Sequence, residues 1–120
     1  MSTAGSRQDA KEWFRKARRY LRVAADNIES GYADVAAFYS QQAAEFALKA
    51  LQVHTLSRFQ RTHDLTLLAK TLSSPPRIVA LAAAISPVYV AARYPDVGGS
   101  RITRRDAARR PVRWVRRQMA

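Results

Sequence analysis

From Arg7 to Ser30, apolar side chains return every three or four positions: Trp13, Ala17, Tyr20, Ala24 and Ile28, widened by Phe14, Leu21 and Ala25. That is the period of an amphipathic α-helix with one face turned to a core. Ser30 and Gly31 supply a stop, Gly31 being free to take the left-handed cap conformation. A second helix is predicted from about Asp34 to His54. Val35, Tyr39, Phe46, Ala50 and Val53 mark one side of it, and Phe38 and Leu48 add apolar surface elsewhere, so protein is expected on more than one face. The row Gln41, Gln42, Glu45, Lys49 and Gln52 reads as an exposed face, with Glu45 and Lys49 in the favourable order for an i,i+4 ion pair.

After the basic loop "LSRFQR" the pattern predicts a short helix from roughly His63 to Leu72. "SSPP" then punctuates the chain, with Ser74 as N-cap and Pro75 at the first helical position of a fourth helix. Its stripe is Ile78, Leu81, Ile85 and Tyr89; Pro87 inside it predicts a kink, and Pro95 pushes Tyr94 out of helical geometry at "ARYPD". "VGGS" is a connector. The last helix is expected to open at "TRRD", Thr103 capping it and Asp106 at its third position. Ala108, Val112, Val115 and Met119 fall on one line of that helix, Trp114 borders them, and Arg105, Arg116, Arg109, Arg113, Arg117 and Arg110 occupy the opposite side. Pro111 is a second candidate kink. No segment carries a strand signal. The prediction is an all-α, up-and-down bundle of about five helices, preceded by a disordered tail over residues 1–6.

Composition adds limits. At 120 residues one domain can bury a core without staples. The absence of cysteine removes disulfides and thiolate metal sites, and two histidines cannot build a zinc cage, so neither metal nor cofactor is expected. The longest apolar run, "IVALAAAI", is too short to span a bilayer, and "MSTAGSRQDAKEWF" has no signal-peptide core. A cytoplasmic location is expected, and a membrane is not an expected partner. Charge changes the picture more. The net charge is +12, and 17 of the 21 basic residues are arginine, whose planar fork suits phosphate or carboxylate. Residues 97–120 alone set eight arginines against Asp106, a net +7. A solvated face normally mixes signs. Six arginines on one side of a helix point instead to a polyanion, RNA or an acidic protein, as partner.

Four pieces in order, "WFRKARRYLRVAADNIESGYADVAAFYSQQAAEFALKAL", "RTHDLTLL", "VYVAARYPD" and "TRRDA", make the chain resemble the HEPN domain family from about Trp13 to Met119. The resemblance implies a HEPN-like helical domain over residues 7–120 that forms a homodimer and binds nucleotides or RNA. In prokaryotes such chains are often encoded beside a minimal nucleotidyltransferase, the two forming a toxin–antitoxin or regulatory pair. Some branches are metal-independent endoribonucleases, marked by an arginine, usually followed by a polar residue, with four to six positions between it and a histidine.

"RFQRTHDL" sits where these implications meet. Arg58 and His63 have the four-residue spacing of that mark and are the candidate catalytic pair. Histidine can move a proton from a ribose 2′-hydroxyl near neutral pH, and arginine can hold the phosphate it attacks. Against this, Phe59 stands where catalytic members carry a polar residue, and their motif belongs to a later part of the bundle. "THDL" also has a structural account, with Thr62 as N-cap and Asp64 meeting the helix dipole. The structural account is preferred. Arg61, Arg93, Arg105, Arg109, Arg113 and Arg116 are the candidate nucleotide- or RNA-binding residues. Arg93 has two readings, a pair with Asp64 or Asp96 and a phosphate contact near His63. His54 is expected to be a partly buried histidine without a ligand role. A non-catalytic adaptor with an acidic protein partner is the remaining alternative.

Overall fold

The structure, a computed structural model, describes residues 2–3, 7–86 and 101–120, with the backbone alone in 2–3 and 101–106. It contains helices α1 (Arg7–Glu29), α2 (Ala33–Leu56), α3 (Leu65–Thr71), α4 (Pro76–Ile85) and α5 (Arg101–Met119). Two two-residue strands accompany them: β1 (Ser2–Thr3), in the segment expected to be disordered, runs antiparallel to β2 (Arg58–Phe59). Ser2 lies opposite Phe59 and Thr3 opposite Arg58. The periodicity carries no sign of this pair, because two residues are too few to show an alternation.

α1 and α2 form an antiparallel hairpin. At its turn Gly31 has φ +84°, its amide donates to Ile28 O at 3.1 Å, and the Tyr32 amide donates to Asn27 O at 2.8 Å. This pair of bonds is the Schellman closure that favours glycine. The seam between the two helices is built from alanine. Ala10, Ala17 and Ala24 recur every seven residues on α1, Ala36, Ala43 and Ala50 do the same on α2, and all six are buried. The ring pairs Trp13–Phe46 and Tyr20–Tyr39 set a register that brings the two rows opposite one another. Side chains this small let helix axes approach to the lower end of the roughly 8–10 Å range.

α2 is the central rod, in contact with α1, β2, α3, α4 and α5. The core joins Leu48, Leu51, Leu65, Leu68, Ile78, Ile85, Val112, Trp114 and Val115, and α5 presents its predicted apolar line to it. Four helix boundaries differ from expectation. Asp64, not Thr62, caps α3: its Oδ1 accepts from the Thr66 amide at 3.1 Å and the Leu67 amide at 3.3 Å, while Thr62 Oγ1 accepts from the Asp64 amide at 3.1 Å. α4 begins at Pro76, not Pro75, because a residue before proline is driven out of helical geometry; Pro75 has ψ 148°. The same rule ends α4 at Ile85, since Ser86 precedes Pro87 and is extended at ψ 134°, so the helix does not continue through a kink at Pro87. The Ser86 hydroxyl accepts from the Leu65 amide at 3.3 Å and ties α4's end to α3's start. Tyr89, Arg93, Tyr94 and Pro95 lie outside the described residues. α5 starts at Arg101, so Thr103 stands inside it rather than capping it, and the helix continues past the buried Pro111. No helix of the described residues is long and apolar enough to cross a membrane.

Candidate functional site

The polar row of α2 is not an exposed face. Gln41, Glu45, Lys49 and Gln52 are buried, and Gln42 is half-buried. The reason lies in the segment after α2, which turns at the left-handed Ser57 and folds back along the row. Gln52 and Gln60 pair twice: Gln52 Nε2 donates to Gln60 Oε1 and the Gln60 amide donates to Gln52 Oε1, both at 2.9 Å. Glu45 is the centre of the row. Its Oε1 accepts from Gln41 Nε2 at 2.9 Å and meets His63 Nδ1 at 2.9 Å, while Oε2 accepts from Lys49 Nζ at 3.0 Å. The predicted Glu45–Lys49 ion pair is thus present, but out of water. Lys49 also lies 5.5 Å from the Phe59 ring centre and 6.0 Å from that of Trp13.

This arrangement fixes His63 chemically. An ionised carboxylate only accepts, so Nδ1 carries the proton that meets Glu45, and in the neutral imidazole Nε2 is the acceptor. The His63 side chain is 74% exposed although its partner is only 3% exposed. A proton-accepting nitrogen therefore faces solvent, oriented by a buried acid. Arg58 is exposed on β2, and Phe59 turns the other way onto Trp13 at 4.8 Å between ring centres. That alternation explains why the residue after Arg58 is apolar. Arg61 is exposed in the loop, and His54, expected to be partly buried, is exposed near the end of α2. Asp64 uses its carboxylate as the α3 cap.

The arginines of α5 meet a second basic face. Arg109, Arg113 and Arg116 line a cavity of about 300 Å³ together with Arg18 of α1, over Phe14, Leu21 and Val112. A neighbouring hollow of about 360 Å³ shares Phe14, Arg18 and Arg116 and adds Lys11 and Arg15. The two form one trough between α1 and α5, with no acidic side chain among its described lining residues. Arg110, Arg113, Arg116 and Arg117 are exposed and Arg109 is half-buried; among the described residues no ion pair reaches an α5 arginine. The Arg105 side chain lies outside the described set. Arg18 was not singled out from the sequence, although Arg15, Arg18 and Arg22 at three- and four-residue spacing trace a basic stripe on α1. Among the described residues no group of three or more histidines and carboxylates could hold a metal ion.

A basic helical bundle, with a loop histidine held by a buried carboxylate and a trough of arginines from two helices, defines the class. The HEPN domain family profile matches residues 10–116, and the chain belongs to that family. Among solved structures it is similar to the archaeal HEPN homologue ST0689, at 28% identity over 92% of this chain and 98% of that one, with a TM-score of 0.79. TT1696 from Thermus thermophilus is similar at 26% identity, 90% and 96% coverage and a TM-score of 0.76. No curated protein matches the chain.

Proposed function

We propose that this HEPN protein binds nucleotides or RNA, acting in the cytoplasm as a homodimer beside a nucleotidyltransferase partner. The trough between α1 and α5 carries the reading. Four guanidinium groups around one hollow repel one another unless an anion joins them, and their planar donors match phosphate oxygens. Arg61, Arg93 and Arg105 are proposed to contribute through the chain's net charge of +12, which draws a polyanion in. Binding to a single-stranded RNA is expected to fall roughly 50-fold between 50 and 200 mM salt if four phosphates are neutralised. Arg109→Glu with Arg113→Glu is expected to abolish most of it. Affinity that is flat across that salt range refutes the reading.

A second reading, RNA cleavage without metal, is favoured by the bond between His63 and Glu45. His63 Nε2 would take the proton from a ribose 2′-hydroxyl. The freed oxygen attacks the adjacent phosphorus, the P–O5′ bond breaks as the 5′-oxygen takes a proton from water, His63 returns its proton to the hydroxide so formed, and a 2′,3′-cyclic phosphate remains. Arg58 would hold the phosphate, with Glu45 as a positioning residue. The assay is RNA incubated with the purified protein and a chelator. Cleavage that persists in chelator and disappears in His63→Ala establishes the enzyme; intact RNA at high protein concentration leaves binding alone.

A further inference from the structure

A cavity of about 720 Å³ lies between α1 and α2 and shares Arg15 with the trough beside α5. Its floor is aromatic. Trp13, Phe46, Tyr20 and Tyr39 are each half-buried and form a continuous chain of rings, with centres 5.5, 5.3 and 5.1 Å apart in that order. Phe38 extends the chain at 5.3 Å from Tyr39 and is 56% exposed. The alanine seam explains why the floor is open: two axes drawn close by small residues force the large flanking side chains outward, where they spread into a shelf. An ordinary core margin is flanked by charges of both signs. This one is rimmed by Arg15, Lys16 and Arg19, with Glu12 the one acid in the described lining. Glu12 pairs with Arg15, which leaves Lys16 and Arg19 as the cations it does not offset. Lys16 Nζ sits 5.0 Å from the Phe46 ring centre and 5.7 Å from that of Tyr20, covering the ring faces as a flexible, exposed lid.

We infer that this shelf between α1 and α2 is a stacking site for two or three unpaired RNA bases, with Lys16 and Arg19 on their phosphates. Ring faces with cations along one edge fit a flexible polyanion whose every unit carries a flat apolar base. Trp13 to Tyr20 spans about 10 Å of helix, which accommodates bases stacked at about 3.4 Å. The near end lies beside the histidine: Trp13 contacts Phe59, and Lys49, within 6.0 Å of the Trp13 ring, is bonded to the Glu45 that holds His63. A strand lying on the shelf is therefore led toward His63 Nε2. Entering bases displace Lys16 from the rings toward the backbone.

The inference rests on the RNA-binding reading, and the experiment separates the two. The intact protein is titrated at low salt with a uridylate hexamer and with an abasic hexamer of equal phosphate count, following tryptophan fluorescence. Trp114 is buried in the core, so a change reports Trp13. The expected result is quenching by the uridylate hexamer and at least about tenfold weaker binding of the abasic one. Tyr20→Leu is expected to weaken the hexamer by a similar factor. The surface pair Lys16→Glu and Arg19→Glu, which leaves the packed rings in place, gives the same loss should the ring variant fail to fold. Equal affinity for both hexamers overturns the shelf, as does a Lys16/Arg19 variant within twofold of the parent while the α5 variants lose binding; RNA binding itself then stands. Quenching by anionic lipid vesicles and not by the hexamer overturns it in favour of a lipid surface. No binding of either hexamer removes both readings together.

Discussion

Glu45 holds three donors on two oxygens while only 3% exposed, so its energetics follow from burial rather than from surface charge. A buried pair broken on one side leaves an uncompensated charge and typically costs about 3–5 kcal/mol. Lys49→Met is therefore expected to destabilise the protein by about that amount in urea unfolding. Combining it with Glu45→Leu is expected to recover only part of the loss, because the apolar pair removes the buried charges but leaves the buried Gln41 amide without its acceptor. A single variant that unfolds at the parental midpoint contradicts the burial of this network. Asp64 offers a smaller contrast. Its carboxylate satisfies two amides at the start of α3, and Asp64→Ala is expected to cost about 1 kcal/mol. Thr62→Ala, which removes only the contact to the Asp64 amide, should cost less.

Among the elements, what the sequence revealed depended on whether one helix face was enough to explain its pattern. α1 has a single apolar stripe, and α5 has an apolar line opposite arginine; both were readable within a residue or two at most ends. α2 is apolar nearly all round, and its polar row looked like the missing solvent side. A row that begins between Ser40 and Ala43 and runs among Ala44, Ala47 and Leu48 is instead a polar strip inside protein, since no residue from 40 to 53 is exposed. No period reveals that, because the covering residues Gln60 and His63 come from a loop. The start of α4 and its early end were legible in principle through Pro76 and Pro87. Spacing singles out Arg58 and His63 as candidates; the acid behind His63 is legible only as Lys49's partner. The alanine seam makes its own prediction. Ala17→Leu overpacks the buried seam of the hairpin and is expected to cost about 1–3 kcal/mol, measured by thermal unfolding.

At the scale of the molecule, a net charge of +12 on 120 residues acts on folding and on binding with opposite sign. The arginines of α5 and α1 repel across their trough, and added salt screens that repulsion. Relief of roughly 1 kcal/mol would raise the melting temperature by about 4 °C. The same salt is expected to weaken RNA binding. Parallel melting and binding series in sodium chloride would check the pair of trends, and a melting temperature that falls with salt would show that the trough stores no repulsion. The position of α2 bears on how the molecule comes apart. Since α1, α3, α4 and α5 all pack against that one rod, none of these helices can detach and leave a stable remainder, and calorimetry should record one sharp heat-absorption peak rather than a staircase.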